Sequence, residues 1–91
     1  MHYLLTYDFV ADMADRRTPY RPAHLALASA AHQRGELILA GAFAEMPAGA
    51  MLVFRTDEPA VVERFVAADP YVANGLVTHW RIRALQVVFG G

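Results

Sequence analysis

"ELILAGAFAEMPAGAMLVFRT", residues 36–56, holds two runs of strand formers separated by "EMPAGA". Pro47 and Gly49 suit a turn, so "ELILAGAF" and "AMLVFRT" read as the two arms of a hairpin. What flanks that hairpin decides the fold. On its N-terminal side, "PYRPAHLALASAAHQRG" (19–35) reads as a helix. Pro22 fits the first helical position, where a missing N–H costs nothing, and Gly35 supplies the stop. Leu25, Ala28, Ala31 and His32 lie close to one stripe, as do Leu27 and Ala31, and the small alanines permit close packing on a sheet. On the C-terminal side, "DEPAVVERFVAA" (57–68) is a second helix, with Asp57 as N-cap and Glu58 at the positive end of the dipole. Val61, Val62, Phe65 and Val66 form its apolar stripe, and Pro70 bars extension.

Outside the helices lie two more strands. "HYLLTYDFV" (2–10) places Tyr3, Leu5, Tyr7 and Phe9 on one face under a period of two, with Leu4, Thr6, Asp8 and Val10 on the other. "ADMADRRT" (11–18) breaks that pattern and reads as a loop. After a turn at Asn74-Gly75, "LVTHWRIRALQVVF" (76–89) alternates as a long final strand. The order is strand, helix, strand, strand, helix, strand. It predicts an α+β, ferredoxin-like βαββαβ sandwich with both helices on one face of the sheet. Apolar residues on both faces of the strands predict that the open face is covered by a second copy.

Ninety-one residues make one domain, 1–91, with a thin core. There is no cysteine, so neither disulfides nor thiolate zinc can support it. A chain that is 56% hydrophobic gains burial by pairing, which again points to a homodimer. The formal net charge is −1 and the eight basic residues, all arginine, are scattered, which argues against a nucleic-acid partner. No apolar run reaches the roughly 20 residues of a membrane span. The N-terminus lacks a signal-peptide pattern, so the expected location is the cytoplasm.

His24 is the leading candidate for chemistry. It falls in the first turn of the first helix, where the macrodipole disfavours the imidazolium and leaves a ring able to accept a proton. A carboxylate on the other ring nitrogen would fix the tautomer. Asp69, in "ADPYVANGLV" (67–76), can supply it if the end of helix two lies beside the start of helix one. Read alone, Asp69-Pro70 is a helix stop and turn starter.

"RPAHLA" (21–26), "GELILAGAF" (35–43) and "ADPYVANGLV", in this order and separation, resemble the YCII-related family of small dimeric α+β barrel proteins. The likeness runs over essentially the whole chain, and the "DPYV" segment is its most specific element. The resemblance implies a dimer of ferredoxin-like units, related in fold to muconolactone isomerases and stress-response barrels. It also implies a histidine–aspartate active-site pair at His24 and Asp69. The family glycine at the end of the second strand maps onto Gly41, and Ala42 stands where many relatives have proline, so the pocket rim differs here.

Four further residues are candidates for substrate binding. Arg21 can anchor an anion beside His24, or simply be solvated. Tyr7 can donate a hydrogen bond into a pocket, or be core. Tyr71 can wall the pocket or cover the turn, and Gly41 can admit substrate to the backbone or permit a bulge. Arg16-Arg17 reads as part of a lid or as a solvated pair. The histidines show no metal-ligand spacing, and no nucleophile elbow, phosphate loop or dinucleotide fingerprint is present. What remains is cofactor-free acid–base chemistry, of the isomerase, lyase or dehydrohalogenase kind, on a small anionic or phenolic molecule. The alternatives are a non-catalytic ligand-binding or accessory domain in which the pair is a structural tie, and a pure assembly module with no cavity near His24.

Overall fold

The computed structural model describes all residues, Met1–Gly91. The central hairpin forms as expected: β2 (Leu37–Ala42) and β3 (Gly49–Arg55) pair antiparallel, with a register shift between Leu37 and Leu39. On its other side β3 pairs with β1 (His2–Phe9), and β1 pairs with β4 (Val77–Leu85). The resulting four-stranded antiparallel sheet has the order β2-β3-β1-β4, the ferredoxin-like arrangement. Gly49 is required at the start of β3, because a Cβ there would lie 2.5 Å from the Tyr7 carbonyl oxygen of β1.

Helices α2 (Arg21–Gln33) and α3 (Ala60–Ala68) bury their apolar sides on one face of this sheet. Leu5 and Tyr7 of β1 and Leu52 and Phe54 of β3 meet Ala31, Val62, Phe65 and Val66 in a single core. Each large side chain fully buried there contributes about 1.5–3 kcal/mol relative to exposure. Phe54 and Phe65 meet edge to face at 5.2 Å. A smaller cluster of Met13, Tyr71 and Leu76 closes one end. The opposite face of the sheet carries half-buried Leu4, Met51 and Val53, with Leu39 56% exposed at the β2 edge.

Several local expectations are corrected. Residues 11–18 are not a plain loop. Met13–Arg16 wind into one helical turn, α1, because Met13 is buried against Tyr71 and Leu76 and holds the backbone down. Helix α2 begins at Arg21, one residue before Pro22. Leu25 is 46% exposed and His32 is exposed, because α2 is rotated to press Ala31 on the sheet. Asp57 caps nothing. Helix α3 starts after Pro59, and it is the Thr56 hydroxyl that accepts from the Glu58 N–H at 3.1 Å. Val61 is half-buried, while Val62, Phe65 and Val66 form the buried side. Strand β4 stops at Leu85, where pairing with His2 runs out, and Phe89 beyond it is 96% exposed.

Candidate functional site

The opening of the last connection does two things at once. Asp69 leaves the helical conformation (φ −73°, ψ 118°), which ends α3 ahead of Pro70. It then caps the next single turn, α4 (Pro70–Ala73), its Oδ1 accepting from the Tyr71 N–H at 3.0 Å. Proline suits the first position of that turn, since its missing N–H would have no partner there. The side chain is 0% exposed, a placement a carboxylate tolerates only when its oxygens are satisfied. They are. Tyr7 donates its O–H to Oδ2 at 2.8 Å, and His24 Nδ1 lies 2.9 Å from Oδ1.

These contacts fix the chemistry of the ring. Burial first, then the charge and hydrogen bond of Asp69, push the Tyr7 phenol far above its ordinary range, so Tyr7 stays a donor. The Tyr71 N–H is a donor by nature. A carboxylate already accepting from both accepts from Nδ1–H as well, which leaves the lone pair of a neutral imidazole on Nε2. Tyr71 stacks on the imidazole at 3.9 Å with 12° between the planes, so the ring is held against rotation by packing as well as by its bond.

His24 looks into a cavity of about 260 Å³ between α2 and the β2–β3 half of the sheet. Phe9, Met13, Leu25, Ala28 and Leu52 give it apolar walls, and Ala40, Gly41 and Ala42 form its β2 side. Arg17 and Arg21 supply its charge. Tyr71 lines it too. Burial raises that phenol's pKa, while the Arg17 and Arg21 guanidiniums pull it back down. The structure gathers no group of three or more His, Cys, Asp or Glu able to hold a metal ion, and no helix is long and apolar enough to cross a membrane.

The YCII-related domain profile matches residues 1–86. The chain belongs to the YCII-related family. Protein YciI of Escherichia coli O6:H1 is 30% identical over 101 residues, covering 98% of this chain and 100% of the relative, and Protein YciI of Shigella flexneri matches to the same extent. Among solved structures, 5-chloro-2-hydroxyhydroquinone dehydrochlorinase (TftG) from Burkholderia phenoliruptrix AC1100, in complex with 2,5-dihydroxybenzoquinone, is similar with a TM-score of 0.80. That match is 18% identical and covers 94% of each chain, a likeness of fold: the α+β unit of the dimeric barrels.

Within this YCII-related unit, the six residues singled out from sequence converge. His24, Asp69, Tyr7 and Tyr71 are joined by bonds and stacking, and Arg21 and Gly41 line the same cavity. Tyr7 belongs both to the core and to the cavity lining: it is 0% exposed and bonds Asp69. Gly41 marks no bulge, and a Cβ there would meet nothing within 4 Å. Arg17 was not singled out by itself, though a signal existed. Positions 17, 21 and 24 have the i, i+4, i+7 spacing of one helical face, hidden by Pro19 and Pro22. In the structure residues 17–20 are a turn between α1 and α2, and the Arg21 N–H bond to the Arg17 carbonyl at 2.8 Å with the His24 N–H bond to that of Tyr20 at 3.0 Å brings Arg17 against the start of α2.

Proposed function

We propose that this protein is a small-molecule enzyme in which His24, held by Asp69, moves a proton without a cofactor. The reaction class is an isomerisation or an elimination of the dehydrohalogenase kind on a small anionic or phenolic molecule. The observation that carries the reading is a single imidazole with its Nδ1 fixed by a buried carboxylate and its Nε2 left without a protein partner at an apolar cavity wall. Nε2 takes a proton from a substrate hydroxyl or acidic C–H, the released electron pair shifts into the carbon skeleton, and a leaving group departs or the proton returns elsewhere. Asp69 stabilises the imidazolium formed meanwhile, and Tyr7 keeps Asp69 in place. Arg21 steadies the anion, Tyr71 keeps the imidazole plane fixed, and Gly41 leaves room for the ligand along β2. The likeness to a dehydrochlorinase supports this class. General acid–base catalysis of this type contributes about 10²–10⁴-fold.

The test is turnover of a panel beginning with 5-chloro-2-hydroxyhydroquinone, read as chloride release and product absorbance. His24→Ala is expected to lose that factor. Wild-type turnover in this variant would end the reading. A second reading is favoured by the buried bonds linking β1, α2 and α4 through Asp69. In it the chain is an accessory ligand-binding domain and the pair is a tie. It predicts a large fall in melting temperature for His24→Ala, whereas a functional histidine predicts little change or a gain.

We also propose that the unit works as a homodimer in the cytoplasm, through the sheet face bearing Leu4, Leu39, Met51 and Val53. Light scattering after gel filtration tests the pairing, with a monomer at micromolar concentration as the opposing result.

A further inference from the structure

Of the eight arginines, Arg16, Arg34 and Arg64 each face a carboxylate, at 3.7, 2.8 and 3.8 Å respectively. The other five face none, and of these only Arg17 and Arg21 line the cavity of His24. Neighbours in sequence are thus treated oppositely: Arg16 folds back on Asp12 at the surface, while Arg17 turns inward. The chain fixes this difference. Buried Met13 anchors α1, its carbonyl accepts from the Arg17 N–H at 2.9 Å, and the Arg17 carbonyl accepts from Tyr20 and Arg21 at 2.9 and 2.8 Å. Arg17, in the turn that leads into α2, and Arg21, at its first residue, therefore stand together with His24 at the same cavity. They also border a shallow hollow outside the cavity, with Thr18 and Pro22, which places them at its mouth.

We infer that Arg17 and Arg21 are the two arms of an anion clamp, and that the cavity takes a single planar ring bearing two ionised oxygens. Two guanidiniums with no carboxylate facing them at the cavity are two positive groups that a ligand can match. A guanidinium binds an oxyanion with paired N–H donors. The apolar walls need a flat apolar body between the charges, and about 260 Å³ is below the usual range for drug-sized ligands, which limits that body to one ring. The clamp holds the ring while Nε2 faces one of its edges. The inference deepens the proposed function and rests on the same cavity being the ligand site.

The experiment is calorimetric binding, which needs no turnover. The probes are 2,5-dihydroxybenzoquinone, doubly ionised at neutral pH, and hydroquinone, a neutral ring of similar size. The wild-type chain should prefer the dianion, with affinity falling as salt is raised. Arg17→Ala and Arg21→Ala should each weaken the dianion about tenfold, a typical effect for one charge-assisted pair, with a shallower salt dependence. Arg17→Lys should recover part of the loss, and Arg16→Ala should bind as the wild type does. A thermal melt of each variant verifies folding. The clamp is overturned if Arg17→Ala binds the dianion within about twofold of wild type, or if the wild-type chain binds both probes equally or neither. That failure would leave His24 as base untouched. Full turnover by His24→Ala would remove the base and leave the clamp standing.

Discussion

Helix α2 carries a histidine near each end and a hollow lies by each end, but only His24 lines its hollow, and the two ends are built differently. At the C-terminal end, exposed His32 gives its Nδ1 to the Leu37 carbonyl at 2.7 Å, a bond that pins the helix to β2. The hollow beside it, about 320 Å³ between α2 and α3, is the larger of the two. Its charges are already spoken for: Arg34 holds Glu36 at 2.8 Å and Arg64 faces Glu58 at 3.8 Å. At the N-terminal end the cavity is smaller, the imidazole is fixed by a buried acid, and neither guanidinium faces a carboxylate, Arg21 having only the Tyr71 phenol as a partner. Volume does not separate a site from a gap between helices. In the proposed reading it is the charged groups left without a carboxylate that do.

Substitutions can break that contrast. The heaviest effect belongs to Asp69→Ala, which strands three donors, from Tyr7, His24 and the Tyr71 backbone, inside the protein. Each unsatisfied buried donor costs about 1–3 kcal/mol. A loss of about 3 kcal/mol or more lowers the melting temperature by about 12 °C or more in a domain of this size, together with loss of turnover. His24→Ala comes next, with a turnover loss of about 10²–10⁴-fold in the chloride-release assay. The matched His32→Ala should keep full turnover and lose only about 0.5–1.5 kcal/mol of stability. Equal turnover losses at the two positions would erase the distinction between the helix ends.

Tyr7→Phe sharpens the comparison from behind the site, with an expected loss of about 1–3 kcal/mol for the stranded Oδ2. It also carries a pH signature. The folded protein holds the Tyr7 proton to well above the ordinary value of 10.0, whereas the unfolded chain releases it near there. The native state then binds more protons than the unfolded one, so stability is complete below pH 10 and falls above it. The slope approaches 1.4 kcal/mol per pH unit. Urea melts across pH 9–11 should show that slope in the wild type and a shallower one in Tyr7→Phe. Gly41→Ala should have the smallest effect. Its Cβ enters open space, so the melting temperature should hold or rise slightly. A weaker grip on a bound ring would be its only symptom.

The fold was legible because its evidence is periodic. Period-two runs around a turn and two apolar helical stripes leave few arrangements for so short a chain. His24 stood out by its place in a helix's first turn, but its pairing with Asp69 was legible only through the resemblance to a family, since no local rule joins residues 45 apart. What stayed hidden was decided by contacts across the structure. Residues 11–18 look like loop because their charges break the pattern, and only the burial of Met13 against Tyr71 and Leu76 winds them. Arg17 was concealed by Pro19 and Pro22, which interrupt its spacing to Arg21 and His24. Asp57 satisfies the local preference for a cap, but Pro59 sets the actual start of α3 and Thr56 does the bonding.

Asp69 is the last residue of one helix and the cap of the next, and this restricts how the gene can change. One residue added within α3 would turn everything after it by 100° and advance it by about 1.5 Å. The carboxylate would swing away from the imidazole while the strands stayed paired. Length variation among relatives should therefore collect in the β2–β3 turn or in the tail after β4, and the span from Ala60 to Asp69 should be counted out identically wherever the pair is kept.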